Sequence, residues 1–280
     1  MIDPYSMRVL FISIVSIVVL FIVLLTSRLW GLGQQFPDFQ HPFFDQTANP
    51  AVVFKVQNEK ELEEVLQKKA DAIIWLDVQT TNDQKIIVFA TDLSPQKMSI
   101  EAYRGPKSLG YSMQQLKNMD PEIQELREIV SKYAEQKFIL NILDNVQGVH
   151  TGLAEALKGL SPEKRILLQS NFNVIMTSVK ELEPFWLFGC SQADLMRFLT
   201  FESMWVLPAT PFKGDVYISP FVLLGRPAFH ESTLEEVRRR KKKIILGPAL
   251  DKKEFDDAVR LKVDAIIIEN LSDYLEWSRP

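Results

Sequence analysis

The sequence predicts an α/β fold: a TIM-type (β/α)8 barrel preceded by one N-terminal transmembrane helix. Three observations predict it. An uncharged apolar run, Val9 to Thr26, precedes a chain of ordinary globular composition. After it, apolar runs of strand length alternate with amphipathic stretches of helical length, eight times in about 230 residues, the size and rhythm of a (β/α) barrel. Most of these runs are continuously apolar rather than alternating, as parallel strands buried on both faces require. A doubly wound open sheet is the other architecture with this rhythm.

The chain divides into a short tail (1–8), an anchor (9–27), a linker (28–50) and a barrel domain (51–280). The anchor, VLFISIVSIVVLFIVLLT, extends roughly 27 Å as a helix, close to a hydrocarbon core of about 30 Å. Ser13 and Ser16 can return their hydroxyls to the helix backbone. Arg8 and Arg28 bracket the run, and Trp30 stands where an interfacial aromatic belongs. A cleaved signal peptide is the competing reading, but the apolar part is long for one and no small-x-small site follows it. With one arginine on each flank, the free amino terminus tips the short end towards the cytoplasm. The expectation is a single-pass membrane protein with its barrel outside the cytoplasm. In the linker, Phe36, Phe39, Phe43 and Phe44 are expected to pack on the domain or lie at the lipid surface.

Strands are expected at Val52–Val56, Ala72–Val78, Phe138–Leu143, Ile166–Gln169, Trp186–Gly189, Val216–Ser219, Ile244–Gly247 and Ala265–Ile268. Helices are expected at Glu59–Lys69, Ile123–Glu135, Leu153–Leu160, Val174–Leu182, Gln192–Phe201, Leu234–Lys241 and Lys253–Lys262. Gln79 to Phe89 interrupts the rhythm. It turns at Asn82-Asp83 and returns as an extra strand, ahead of an insertion from Ser94 to Asp120.

A net charge of -4 argues against a nucleic-acid partner, which would need a basic face. One run, Arg238 to Lys243, breaks that balance. Its helix-end position makes a solvated face the default, with contact to anionic lipid as the alternative. A single cysteine, Cys190, excludes an intrachain disulfide.

ADAIIWLDVQTTNDQKIIVFATDL (Ala70–Leu93) resembles the second-strand region of the glycerophosphodiester phosphodiesterases. SMQQLKNMDPEIQELREIV (Ser112–Val130) is similar to their insertion, KFILNILDN (Lys137–Asn145) to their third strand, and LLQSNF (Leu167–Phe172) to a later strand end. IILGPALDKKEFDDAVRLKVDAIIIENLSDYLEW (Ile244–Trp277) resembles their closing segment. The resemblance implies a barrel that hydrolyses glycerophosphodiesters at its C-terminal face with a divalent cation (Mg²⁺ or Ca²⁺) and two histidines.

The signature residues themselves are largely replaced. Lys55, Val56 and Gln57 stand in place of the first histidine motif, Trp75-Leu76-Asp77 in place of the metal-binding E-x-D pair, and Ala90 and Thr91 in place of the second histidine and its aspartate. Leu143 and Asn145 replace a distal glutamate and lysine, and Gly247 a late tryptophan. The residual candidates are Asp77, Lys55, Asp144, Asp92, Arg226 and His230. Asp77 is either a weak metal ligand with Asp144 or Asp92, or a structural acceptor for Lys55. Lys55 either neutralises Asp77 or meets a phosphate as a point charge. Arg226 and His230 share the loop after the sixth strand and make a candidate anion site. His41 and His150 are expected to face solvent or to cap, and Cys190 to be small and half-buried. The expectation is a barrel without competent hydrolysis and with no cofactor. It serves as a binding or scaffolding module at a membrane, with a phosphodiester or lipid headgroup as ligand. The alternative is a divergent hydrolase of glycerophosphodiesters that uses a divalent cation.

Overall fold

The structure, a computed structural model, describes residues 4–45, 50–90, 107–223 and 225–279. Its strands are β1 (Ala51–Lys55), β2 (Ile73–Thr80), β3 (Ile86–Val88), β4 (Gln124–Glu125), β5 (Phe138–Ile142), β6 (Ile166–Ser170), β7 (Leu187–Phe188), β8 (Val216–Ser219), β9 (Val222–Leu223), β10 (Arg226–Pro227), β11 (Lys243–Ala249) and β12 (Ala265–Ile268). Its helices are α1 (Pro4–Leu32), α2 (Glu59–Lys68), α3 (Met113–Met119), α4 (Leu126–Lys132), α5 (Val149–Leu157), α6 (Pro162–Arg165), α7 (Asn173–Leu182), α8 (Gln192–Ser203), α9 (Glu231–Arg239), α10 (Lys252–Arg260) and α11 (Leu271–Trp277).

Eight strands form a parallel sheet in the order β7-β6-β5-β2-β1-β12-β11-β8. A parallel bridge between Gly189 and Val216 joins its two ends into a barrel. Strands such as β5 and β12 are apolar on both faces because one side chain meets the lumen and the next meets a helix, and Ile139, Leu140, Ile266 and Ile268 are all fully buried. Local chemistry starts the helices where the rhythm requires. The Asn58 side chain accepts from Glu61 N to open α2, and Ser191 and Asp194 form a capping box at α8.

The turn at Asn82-Asp83 returns as β3, antiparallel to β2, as expected. Helix α4 begins at Leu126 rather than Ile123, because Gln124 and Glu125 pair with β3. Helix α5 starts four residues early, at Val149, since Gly148 at φ +90° turns the chain into it. Helix α9 starts at Glu231 and stops before Lys241, whose φ of +60° is incompatible with a continuing helix. The hairpin β9–β10 and the last helix, α11, were not anticipated.

The anchor run lies within α1, whose apolar window is unburied throughout. The helix continues past Thr26 and is built into the barrel. Gly31 lies so close to the 3-10 turn Leu207–Ala209 that a Cβ there would sit 2.3 Å from the Pro208 carbonyl carbon. Arg28 donates to Trp205 O at 2.8 Å.

The basic run at the end of α9 is largely paired rather than a uniformly solvated face, with Arg238 and Lys241 its exposed members. Arg239 donates to Gly31 O (3.1 Å) and Gln34 O (3.1 Å) and pairs with Glu236 at 2.7 Å. Arg240 is buried, with Nε 2.6 Å from Glu236 Oε1 and its remaining nitrogens donating to Thr210 O, Leu207 O and Pro208 O. Lys241 pairs with Asp38, Lys242 with Asp215 and Lys243 with Asp264. The linker phenylalanines meet the same cations: Phe36 lies under Arg239 and Arg240, Phe39 under Lys242 and Phe44 under Lys243. Phe43 is fully buried in the core. The linker therefore packs on the domain.

Removing Arg240 takes one of two cationic partners from the buried Glu236 carboxylate and leaves the Thr210, Leu207 and Pro208 carbonyls without this donor, which costs about 3–5 kcal/mol. Arg240→Ala should lower unfolding stability in urea by that order. Lys241→Ala, which breaks an exposed pair, should change it by about 0–1 kcal/mol. Equal, small losses at both positions would refute the clamp.

Candidate functional site

In a parallel barrel the side chains at the C-terminal strand ends converge on one mouth. Register places Lys55 beside Trp75 across β1 and β2. It places Asp77, Asn141 and Gln169 side by side across β2, β5 and β6. Lys55 Nζ lies 3.1 Å from Asp77 Oδ2. The other carboxylate oxygen accepts from Asn141 Nδ2 at 2.7 Å and from Trp75 Nε1 at 3.0 Å. Gln169 is buried and donates to Cys190 O at 2.9 Å. A Cβ on Gly189 would fall 2.1 Å from Gln169 Oε1 and 2.9 Å from Ile218 Cδ1, so only glycine at this position lets the amide and the isoleucine fill the lumen beneath the mouth.

Two of the sequence candidates, Lys55 and Asp77, thus form one cluster, and Asp77 is the acceptor for Lys55. Asn141, Trp75 and Gln169 complete it. Asn141 and Gln169 were not among the sequence candidates; the signal was a polar residue inside an otherwise apolar strand run, FILNI and ILLQS.

Asp144 does not join Asp77. It is fully buried and accepts from the backbone N–H of Thr80, and its Oδ1 has no hydrogen-bond partner among the described residues. Burial pushes its carboxyl up to about 6, against the Thr80 hydrogen bonds that lower it. Asp92 and Thr91 lie outside the described residues.

Arg226 is exposed on β10. His230 Nε2 faces Glu202 Oε2 at 3.9 Å, near the C-terminal end of α8. Barrel helices run antiparallel to their strands, so that end of α8 lies towards the N-terminal side of the barrel. A carboxylate neighbour is the wrong partner for the anion site expected of Arg226 and His230.

His41 caps the 3-10 turn Pro42–Phe44, accepting from Phe43 N, and burial lowers its pKa. His150 is the second residue of α5. Cys190 is fully rather than half buried. It donates to Ile218 O and accepts from Ile218 N, and burial pushes its thiol up to about 12.

A divalent cation at Asp77 would need several oxygen ligands around it. Both Asp77 oxygens are instead engaged by donors, one of them an ammonium. No group of three or more His, Cys, Asp or Glu side chains able to hold a metal lies among the described residues. The described residues do not fit such a cation.

An eight-stranded parallel barrel of this kind is also the fold of solved glycerophosphodiester phosphodiesterases. Among solved structures, the chain is similar to the glycerophosphoryl diester phosphodiesterase domain of a Mycobacterium tuberculosis protein (TM-score 0.61, 13% identity, covering 83% of this chain and 100% of that one). It is also similar to the Thermotoga maritima glycerophosphodiester phosphodiesterase (TM-score 0.58, 13% identity, 82% and 99%). A third similar structure is an Oleispira antarctica phosphodiesterase in complex with the product sn-glycerol-3-phosphate (TM-score 0.53, 15% identity, 78% and 92%). No protein-family model matches the sequence, and no curated protein matches it.

Asp144 makes a pH prediction whose sign is fixed by its raised pKa. Between the ordinary carboxylate value of 3.8 and about 6, the folded state holds a proton that the unfolded chain releases. This group therefore favours folding at low pH, and that contribution is lost as pH rises through about 6. The stability of Asp144→Asn relative to the unmodified chain should rise by about 2 kcal/mol from pH 4 to pH 8. Thermal or urea unfolding of both across that range measures it, and a pH-independent difference would refute it.

Proposed function

We propose that this protein is a single-pass membrane protein whose glycerophosphodiester phosphodiesterase-like barrel, outside the cytoplasm, binds a ligand rather than hydrolysing one. The ligand class is a phosphodiester or a phosphate-bearing headgroup. The observation that carries the reading is the Lys55 ammonium, 3.1 Å from Asp77 where the fold's resemblance would put a metal. A lysine there supplies one fixed positive charge, enough to attract a phosphate oxygen. It supplies no Lewis acid, because an ammonium has no open coordination site to polarise a phosphoryl group or to lower the pKa of a bound water.

Among the described residues, proton transfer is also unprovided for. Imidazoles serve this chemistry because they exchange protons near neutral pH. Lys55 and Ala90 stand at the two positions where the resemblance puts histidines, and Ala90 is buried. Asp144 has a suitable pKa, but it is closed from solvent and held by Thr80.

Two features support the anchor. Helix α1 is long and apolar enough to cross a membrane, and its apolar window contacts no core. Its last turn is locked to the barrel through Gly31 and Arg28, which suits a retained helix better than a removed one.

Glycerophosphocholine and glycerophosphoethanolamine, each with Mg²⁺, Ca²⁺ and Mn²⁺, should show no turnover above background, and added metal should leave the unfolding temperature unchanged. General acid–base catalysis alone is worth about 10²–10⁴-fold in rate. Robust turnover abolished by Asp77→Ala would establish the divergent hydrolase instead.

A further inference from the structure

The anchor and the mouth lie at opposite ends of the barrel. Among the described residues, the side chains that hold the linker lie at N-terminal strand ends, in the turns before them, or, for Arg239, at the end of the helix that leads into β11. Lys137 precedes β5 and donates to Asp45 O. Asp215, the partner of Lys242, precedes β8. Lys243 opens β11, and its partner Asp264 precedes β12. Lys55, by contrast, is the last residue of β1, and Asp77 and Asn141 lie towards the C-terminal ends of β2 and β5.

The docking also fixes a height. Arg28 lies two residues beyond Thr26 and Gly31 five, so about 3 Å and 7.5 Å along the helix axis. The headgroup zone on each side of a bilayer is about 5–8 Å deep. Whatever touches Arg28 and Gly31 is therefore held inside that zone if α1 spans the hydrocarbon.

What touches them is the turn after α8. The Arg28 guanidinium lies 4.2 Å from the centre of the Trp205 ring and donates to its carbonyl. Trp205 has φ +63°, a strained conformation for a bulky residue, yet its side chain is 52% exposed. Met204 beside it is 46% exposed, and Trp30 on the anchor is 68% exposed. Phe185, two residues before β7 and so on the same N-terminal face, is 84% exposed. Large apolar and indole side chains with a polar edge favour the membrane interface over water. The Met204–Trp205 turn adjoins the end of α1 through the Arg28–Trp205 contact.

Resting on the reading of α1 as an anchor, we propose that the N-terminal face of the barrel sits on the bilayer that α1 spans. The Met204–Trp205 turn is seated among the phospholipid headgroups, and the Lys55–Asp77 mouth opens away from that bilayer. The occupant of the patch is the phospholipid interface of the same leaflet. The ligand of the mouth then arrives from the aqueous phase as a water-soluble phosphodiester, because a lipid of the anchoring leaflet lies at the wrong end of the barrel.

Site-specific probes on the full chain test this. Cys190 is buried, so a thiol-reactive environment-sensitive dye reports on one introduced cysteine. Met204→Cys places it on the patch. Leu250→Cys places it at the C-terminal end of β11, where Leu250 is exposed. Each variant is reconstituted in vesicles of phosphatidylcholine with a minor share of phosphatidylglycerol, with or without a nitroxide on the upper acyl chain. The dye at Met204→Cys should be blue-shifted, and nitroxide lipid should quench it severalfold more strongly than the dye at Leu250→Cys. Aqueous iodide should show the reverse order. Retention of the chain through alkaline carbonate washing is scored in the same samples. Extraction by the wash would overturn the anchor and the proposal together. Retention with an iodide-accessible, lipid-unquenched Met204→Cys dye would overturn this proposal alone, as would lipid quenching at Leu250→Cys. Trp205→Ser, at the neighbouring residue, should shift the Met204→Cys dye towards water while leaving the chain membrane-bound; an unmoved dye would count against a seated turn.

Discussion

A parallel barrel satisfies the backbone hydrogen bonds of its edge strands only by closing, and its parallel pairing sends all eight strands the same way. The Gly189–Val216 bridge completes that ring. The two ends of the barrel are then chemically different and cannot exchange roles. One collects the starts of strands and the ends of helices; the other collects the strand ends and the loops that follow them. Every functional feature of this molecule is assigned by which end it occupies.

The starting end is devoted to attachment. The clamp around Glu236 and Arg240 is buried, and buried ion pairs hold geometry more reliably than they add stability, because desolvation offsets most of their attraction. Here the pair anchors the turn Leu207–Ala209, and that turn receives Gly31 of the long helix. Arg239 reaches from the same helix end to the linker backbone. The helix and barrel thus meet through fixed hydrogen bonds and a glycine-only contact rather than through a loose tether.

The other end keeps a polar layer but spends it inwardly. Asp77 accepts from Lys55, Asn141 and Trp75, and Gln169 turns to the Cys190 carbonyl over Gly189. A carboxylate whose oxygens already hold three donors has little capacity left for a hard cation. The Lys55 ammonium remains about one-third exposed and is the charge a ligand would meet first.

Much of the fold was legible because it rests on periodicity. The long apolar N-terminal helix, the eight barrel strands and the return strand after Asn82-Asp83 follow from local apolar patterning and turn chemistry. The partners of the surviving polar residues were not legible. Asp144, one residue past an expected strand end, looked like a possible companion of Asp77, yet its side chain is paired with Thr80 instead. Arg238 to Lys243 looked like a solvated run, because charge in a sequence carries no record of Glu236, Asp215 and Asp264 waiting across the fold. His230 sat in a loop after a barrel strand, but the short α9 brings it beside Glu202. The sequence by itself determined where most of the helices and strands lie, since those depend on neighbours along the chain. Only the tertiary structure decided which end of the barrel meets the long N-terminal helix and which charges neutralise each other, since those depend on contacts between residues 205 or more positions apart.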